Sequence, residues 1–187
     1  MPNAAEQHFQ GGENVKPSLI DTDILSLFFR NHSKVADRFA SYLVQHKKIN
    51  FSIITYYEIV SGLKHRDAYK KMSQFLEFAS KNSVFPLTEK SVTVSGEIYA
   101  ELRKEGNPLD DIDLLIAGTA IVNNMVLITR NKHHFERIRK LEVENWSSPY
   151  YGEPLDVLLG IFHDDGSFIT FYYDSRRFEV LKDSEEK

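Results

Sequence analysis

The sequence predicts an α/β protein: a parallel β-sheet flanked by helices, carrying a β-hairpin extension at its C-terminal end. Between residues 18 and 146, short apolar runs of strand length alternate with segments of helical periodicity, the pattern of repeated strand–helix units. Three carboxylates, Asp21, Glu58 and Asp113, each stand where a strand ends or a helix begins. Ligands of open parallel sheets bind outside the carboxyl ends of the strands, so acids far apart in sequence meet there. Past Trp146 the pattern changes to alternating strands joined by Asp165-Gly166, a hairpin signal.

The first strand is Ser18-Leu19-Ile20, ending at Asp21-Thr22-Asp23 before a short helix through Ile24 to Phe29. Val35, Phe39, Tyr42 and Leu43 recur at helical spacing and predict a helix over 34–45. A second strand, 49–54, leads to a helix over 56–64. There Thr55, three residues before Glu58, predicts a capping box, which leaves Glu58 open to a purely structural role. Tyr69, Met72, Phe75, Leu76 and Ala79 make one apolar face of a helix over 68–80. Val84 to Leu87 reads as a third strand, with Pro86 placing it at an edge or an end. The helix of 89–105 is closed by Gly106 and Pro108. Asp113 opens an apolar, small-residue helix through Ala120, buried on most faces, with Asp110 as the expected N-cap. Met125 to Ile128 is a further strand, ending at Thr129-Arg130-Asn131. Phe135 reads as core, and one of Tyr56 and Tyr57 must turn inward.

Composition narrows the chemistry. In 187 residues, 42% hydrophobic, there is enough apolar material for one well-buried core. The absence of cysteine excludes disulfides, thiolate metal sites and cysteine nucleophiles, and suits the cytoplasm. No apolar run reaches the roughly 18 residues that span a bilayer, so no membrane association is expected. Residues 1–17 read as a disordered N-terminal tail, 18–146 as the main domain and 147–187 as the hairpin-rich extension. The formal net charge is −4, yet residues 147–187 hold nine acidic and four basic residues, which leaves the rest close to neutral. Arg130, Lys132, Arg137, Arg139 and Lys140 face only Glu136, while Lys64, Arg66, Lys70 and Lys71 are offset by Asp67 alone. Basic runs beside an acidic pocket suit a polyanionic substrate drawn to a metal-neutralised site; their plainer reading is solvated helix faces. Hard oxygen ligands suit Mg²⁺ or Mn²⁺, and the chemistry they imply is phosphodiester hydrolysis.

Four stretches together resemble a family: Leu19-Ile20-Asp21-Thr22-Asp23, Tyr57-Glu58-Ile59-Val60-Ser61-Gly62, Pro108 to Ala117 around Asp113, and Leu127-Ile128-Thr129-Arg130-Asn131 running on to Ile138. In that order and spacing the chain resembles a PIN-domain ribonuclease of the VapC toxin type. The resemblance implies a metal-dependent endoribonuclease cutting single-stranded or structured RNA, tRNA among them. It further implies a small antitoxin partner and a homodimer. By resemblance Asp21, Glu58 and Asp113 are the family's acids, Asp21 and Asp113 hold the metal, and Thr22 and Asn131 line the pocket. Thr129 and Arg130 belong to the same segment. Similar toxins place a fourth acid where this chain has His134, and Asp110 or Asp111 stands within a helical turn of Asp113 to replace it. Two other readings remain open here: a catalytically weak PIN-like module that binds RNA or an antitoxin, and a haloacid-dehalogenase-like phosphohydrolase suggested by Asp21-Thr22-Asp23. The extension reads as a fold extension or dimerisation arm, or as an acidic cover over a basic site.

Overall fold

The computed structural model describes residues 16–148 in full, and the backbone of three further strands within 157–181. Five strands, β1 (Ser18–Ile20), β2 (Asn50–Ser52), β3 (Ser83–Phe85), β4 (Val126–Ile128) and β5 (Val143–Glu144), form one sheet in the order β3-β2-β1-β4-β5. Every pairing is parallel, with Ile20 opposite Phe51 on one side and opposite Ile128 on the other. The central strands β1 and β4 are buried throughout, as strands covered on both faces must be.

Alternation along the strands assigns the two faces. Ile20, Val126 and Ile128 join a core with Ile24, Leu25, Phe39, Tyr42, Phe75 and Trp146, from helices α1 (Thr22–Phe28), α2 (Ser33–His46) and α4 (Tyr69–Lys81) and the end of the sheet. Leu19 and Leu127 join the opposite core with Ile98, Leu102, Leu114, Ile116 and Phe135, from α5 (Glu89–Lys104), α6 (Asp111–Val122) and α7 (Lys132–Phe135). The remaining helix, α3 (Ile53–His65), follows β2 directly. Tyr56 packs against the first core while Tyr57 is 61% exposed, which resolves the tyrosine pair.

The structure corrects one local expectation that bears on function. The N-cap of α3 is Ser52, whose side chain accepts from the Thr55 backbone N–H at 2.9 Å; Thr55 sits inside the first turn. The predicted Thr55 capping box does not form, because Ser52 offers the same acceptor a turn earlier, at the end of β2. Glu58 therefore lies in the second turn and has no capping role. By contrast Asp110 is the N-cap of α6, as expected, accepting from Ile112 N–H at 2.9 Å. Strand β3 lies at the sheet edge, with Pro86 immediately after it.

Helices α5 and α6 approach closely through Gly118. A Cβ built there would stand 2.2 Å from Ser95 Oγ and 2.5 Å from Ser91 O. Ser95 Oγ uses that proximity to donate to the Leu114 carbonyl at 2.8 Å, tying the helix that begins beside Asp113 to α5.

Strands β6 (Val157–Phe162), β7 (Phe168–Asp174) and β8 (Arg177–Leu181) form a separate antiparallel sheet, with Ile161 opposite Ile169. These are the strands expected in the extension. The expected turn at 163–166 and residues 1–15 of the expected tail lie outside the described residues. Pro17, at the end of that tail, accepts from Val126 N–H at 3.0 Å.

Candidate active site

The sheet order reverses at β1. The chain proceeds from β1 to β2 and β3 on one side and returns to the other side for β4 and β5. The crevice at such a reversal, outside the carboxyl ends of β1 and β4, is where open sheets bind ligands. Asp21 directly follows β1 and Thr129 directly follows β4, and Asp21 N–H donates to Ile128 O at 3.0 Å across the crevice.

Asp21 is the N-cap of α1, with Oδ1 accepting from Thr22 N–H at 2.7 Å, and only 6% of the residue is exposed. Burial, reinforced by the Asp23 carboxylate, pushes its pKa up to about 7; the Thr129 hydroxyl and the Thr22 N–H pull the other way, and Glu58 adds to the rise. Thr22 extends from the next position and its hydroxyl donates to Glu58 Oε2 at 2.5 Å, holding the α3 carboxylate over the start of α1. The acids from β1 and α3 thus form one cluster.

Asp113, in the first turn of α6, is half-buried. Burial raises its pKa, His134 lowers it and Asp110 raises it further. His134 Nδ1 stands 3.5 Å from Asp113 Oδ2, so the histidine in the place of the expected fourth acid faces the third carboxylate. Asp111 is exposed. Asn131 is exposed at the start of α7 with no side-chain capping bond; its backbone N–H donates to Thr129 Oγ1 at 3.1 Å.

Sequence reading missed Asp23. Its Oδ2 accepts from Arg130 N–H at 3.0 Å, joining the first turn of α1 to the turn after β4 across 107 positions. Oδ1 is buried without a hydrogen-bond partner, and burial raises the pKa of the group. The signal was present, since Asp-Thr-Asp holds two acids. A first-turn acid, however, is ordinarily read as a helix-dipole partner.

Among the described residues no set of three or more histidine or acidic side chains is preassembled around a metal position. The donors present nevertheless fit a hard divalent cation. They are carboxylate and hydroxyl oxygens, they include a buried oxygen without a partner, and burial together with the Asp23 carboxylate pushes the Asp21 pKa up to about 7, a charge cost that a divalent cation would offset. Mg²⁺ needs only one or two carboxylates, completing its shell with water and phosphate oxygens.

Comparison with known proteins decides the family. The PIN domain profile matches residues 18–141, most of the chain and every residue of the cluster. The chain belongs to the PIN-domain family. It is 30% identical over 131 residues to ribonuclease VapC1 of Haemophilus influenzae, covering 69% of this chain and 97% of that one. It is 29% identical over the same length to the tRNA(fMet)-specific endonuclease VapC of Shigella flexneri. Among solved structures, VapBC2 from Rickettsia felis bound to a promoter DNA fragment superposes with a TM-score of 0.63 at 27% identity, covering 69% of this chain and 98% of that one. The haloacid-dehalogenase-like alternative has no support beside this match. The PIN profile ends at residue 141, so the strands of 157–181 lie outside the residues it matches.

Proposed function

We propose that this PIN-domain protein is a divalent-metal-dependent endoribonuclease and the toxin of a VapBC-type pair, working in the cytoplasm. Residues 18–146 form the nuclease domain. The observation that carries the reading is the convergence of Asp21, Asp23 and Glu58 at the switch point of a PIN fold, with the Asp21 pKa raised by burial and then by its acidic neighbours Asp23 and Glu58.

Asp21 and Asp113 are the residues that would hold Mg²⁺ or Mn²⁺. Such an ion supplies Lewis-acid activation of water and neutralises charge on the phosphate oxygens. Glu58, fixed by the Thr22 hydroxyl, orients the attacking water and takes its proton. Asp23 holds the Arg130 N–H and so sets the 129–131 turn, from which the Asn131 amide reaches the phosphate. Thr129 steadies Asp21, and His134 steadies Asp113 in place of a fourth acid. Asp110, engaged as a helix cap, contributes charge near Asp113 and no free ligand pair. Cleavage on this plan leaves a 5′-phosphate and a 3′-hydroxyl.

The Shigella relative's name supports tRNA as the substrate class, and the VapBC complexes support an antitoxin partner. A homodimer fits the same complexes. Incubating the protein with total tRNA in Mg²⁺, in Mn²⁺ and in EDTA tests the reading. The expected result is cuts at few positions, absent in EDTA, with 5′-phosphate ends; metal-independent cuts, or RNA bound and never cut, would leave the weak binding module as the better account.

A further inference from the structure

We propose that the corner between α3 and α4 is a second RNA-contact surface, a cationic and aromatic platform that takes the single strand beyond the cleavage crevice. The proposal rests on the ribonuclease reading and adds the surface by which RNA is held.

Lys64, Arg66, Tyr69, Lys70 and Lys71 are all exposed within eight positions. The one acid among them, Asp67, accepts from the Tyr69 hydroxyl at 3.3 Å, and Arg66 Nε donates to the Gly62 carbonyl at 2.9 Å. Among the described residues Lys64, Lys70 and Lys71 have no ion-pair partner. Lysine and arginine ion pairs among the described residues include Lys16 with Glu142, Lys81 with Glu77, Lys132 with Glu136, and Arg139 with Glu101 and Glu105, all away from this corner. Structure thus separates two basic runs that the sequence presents alike. In the run after Arg130, Lys132 pairs with Glu136 of its own turn and Arg139 with Glu101 and Glu105 at the end of α5, whereas the lysines of the α3–α4 corner have no such partners among the described residues. Lys70 and Lys71 also stand in the first turn of α4, a helix that begins without a side-chain cap or a first-turn acid, where the helix dipole already adds positive potential.

Tyr69 is 77% exposed in the middle of these cations, and its bond to Asp67 fixes the ring on the surface. Uncompensated cations interleaved with an exposed aromatic ring match the recognition of unpaired nucleotides, with phosphates on the lysines and a base on the ring. Placement agrees. Lys64 follows Glu58 by six positions on the same helix, about 9 Å along its axis at 1.5 Å per residue, so a strand leaving the crevice along α3 meets the corner within a short run of nucleotides.

The test measures binding of a 20-nucleotide single-stranded RNA by fluorescence anisotropy in EDTA across a salt series, for the full chain and for the variants Lys70→Glu/Lys71→Glu and Tyr69→Ala. Cleavage of a trinucleotide, too short to reach the corner, is followed in Mg²⁺ alongside. The charge reversal is expected to weaken binding at least tenfold and to flatten the salt dependence by more than one unit of slope, at about 0.7 per phosphate contact. Tyr69→Ala is expected to weaken binding roughly 5- to 100-fold with the slope unchanged. Trinucleotide cleavage should stay at the wild-type rate in both. Unchanged affinity in both variants, with the wild type still cutting, would overturn the surface and leave the nuclease standing. Weaker RNA binding accompanied by a changed sedimentation coefficient would identify the corner as a protein interface and overturn it equally. If the wild type neither binds nor cuts RNA, the ribonuclease reading falls and takes the surface with it.

Discussion

At the residue scale the decisive property is the protonation of Asp21. A carboxyl raised from 3.8 to about 7 holds its proton more tightly folded than unfolded, so between those values the folded state binds more protons. Stability of the metal-free protein therefore falls as pH rises from about 4 to about 7, and the penalty at pH 8 is on the order of 4 kcal/mol for a shift of some three pK units. Asp21→Asn keeps the N-cap acceptor and removes the charge. It is predicted to raise the melting temperature of the metal-free protein at pH 8 by several degrees and to gain nothing at pH 4, a comparison calorimetry makes directly. A second residue-level prediction concerns Asp23. Asp23→Asn retains an acceptor for Arg130 N–H and should preserve most cleavage activity. Asp23→Ala should lower kcat at least tenfold with little change in KM, because it frees the 129–131 turn; equal loss in both would show that charge, and not the hydrogen bond, is what position 23 supplies. The meeting of the Asp21 and Glu58 segments was legible in the sequence because chain ends of a parallel sheet converge, whereas Asp113 stands beside His134 and Asp110. Asp23 was not legible, because its partner is a backbone N–H 107 positions away, which no pattern of residue types reports.

At the element scale the site depends on two contacts between helices. Thr22 on α1 fixes Glu58 on α3, so Thr22→Val should reduce cleavage about tenfold while the fold persists, measured as kcat beside an unchanged circular dichroism spectrum. Gly118 lets α6 lie against α5. Gly118→Ala would drive a methyl into Ser95 Oγ and the Ser91 carbonyl, and the second of these is backbone and cannot rotate away. It is predicted to cost about 1–3 kcal/mol, read as a shift of the urea midpoint, and to loosen Asp113 with the helix that carries it. Most helices were legible from their apolar spacing, with ends displaced by a residue or two. The start of α3 was not, because Thr55 and Ser52 are both competent caps and tertiary placement at the end of β2 chose the earlier one. Strand β5 was also hidden. Two residues, Val143 and Glu144, carry no periodicity, and the strand exists only because β4 offers it an edge.

At the scale of the whole molecule, five short strands bring the β1–α1 junction, α3 and the turn after β4 together at one crevice. None of the described helices is long and apolar enough to cross a membrane. The order of the elements was legible in the alternation of apolar runs, and the strand order was not, since local sequence does not say on which side of β1 a later strand returns. That return creates the switch point and with it the site. A fold that gathers Asp21, Asp23 and Glu58 should be stabilised by a divalent cation. Mg²⁺ or Mn²⁺ at a hundred times its dissociation constant is predicted to add about 2.7 kcal/mol, seen as a rise in melting temperature that Asp21→Asn loses.

The central claim is that these acids cut RNA with a divalent metal. The most direct measurement is single-turnover cleavage of a labelled single-stranded RNA by the wild type and by Asp21→Asn, at matched concentrations in Mn²⁺ and in EDTA. The account predicts cleavage by the wild type in Mn²⁺ alone and a loss of at least a thousandfold in the variant, which remains folded; cleavage that survives in the variant or in EDTA would contradict it.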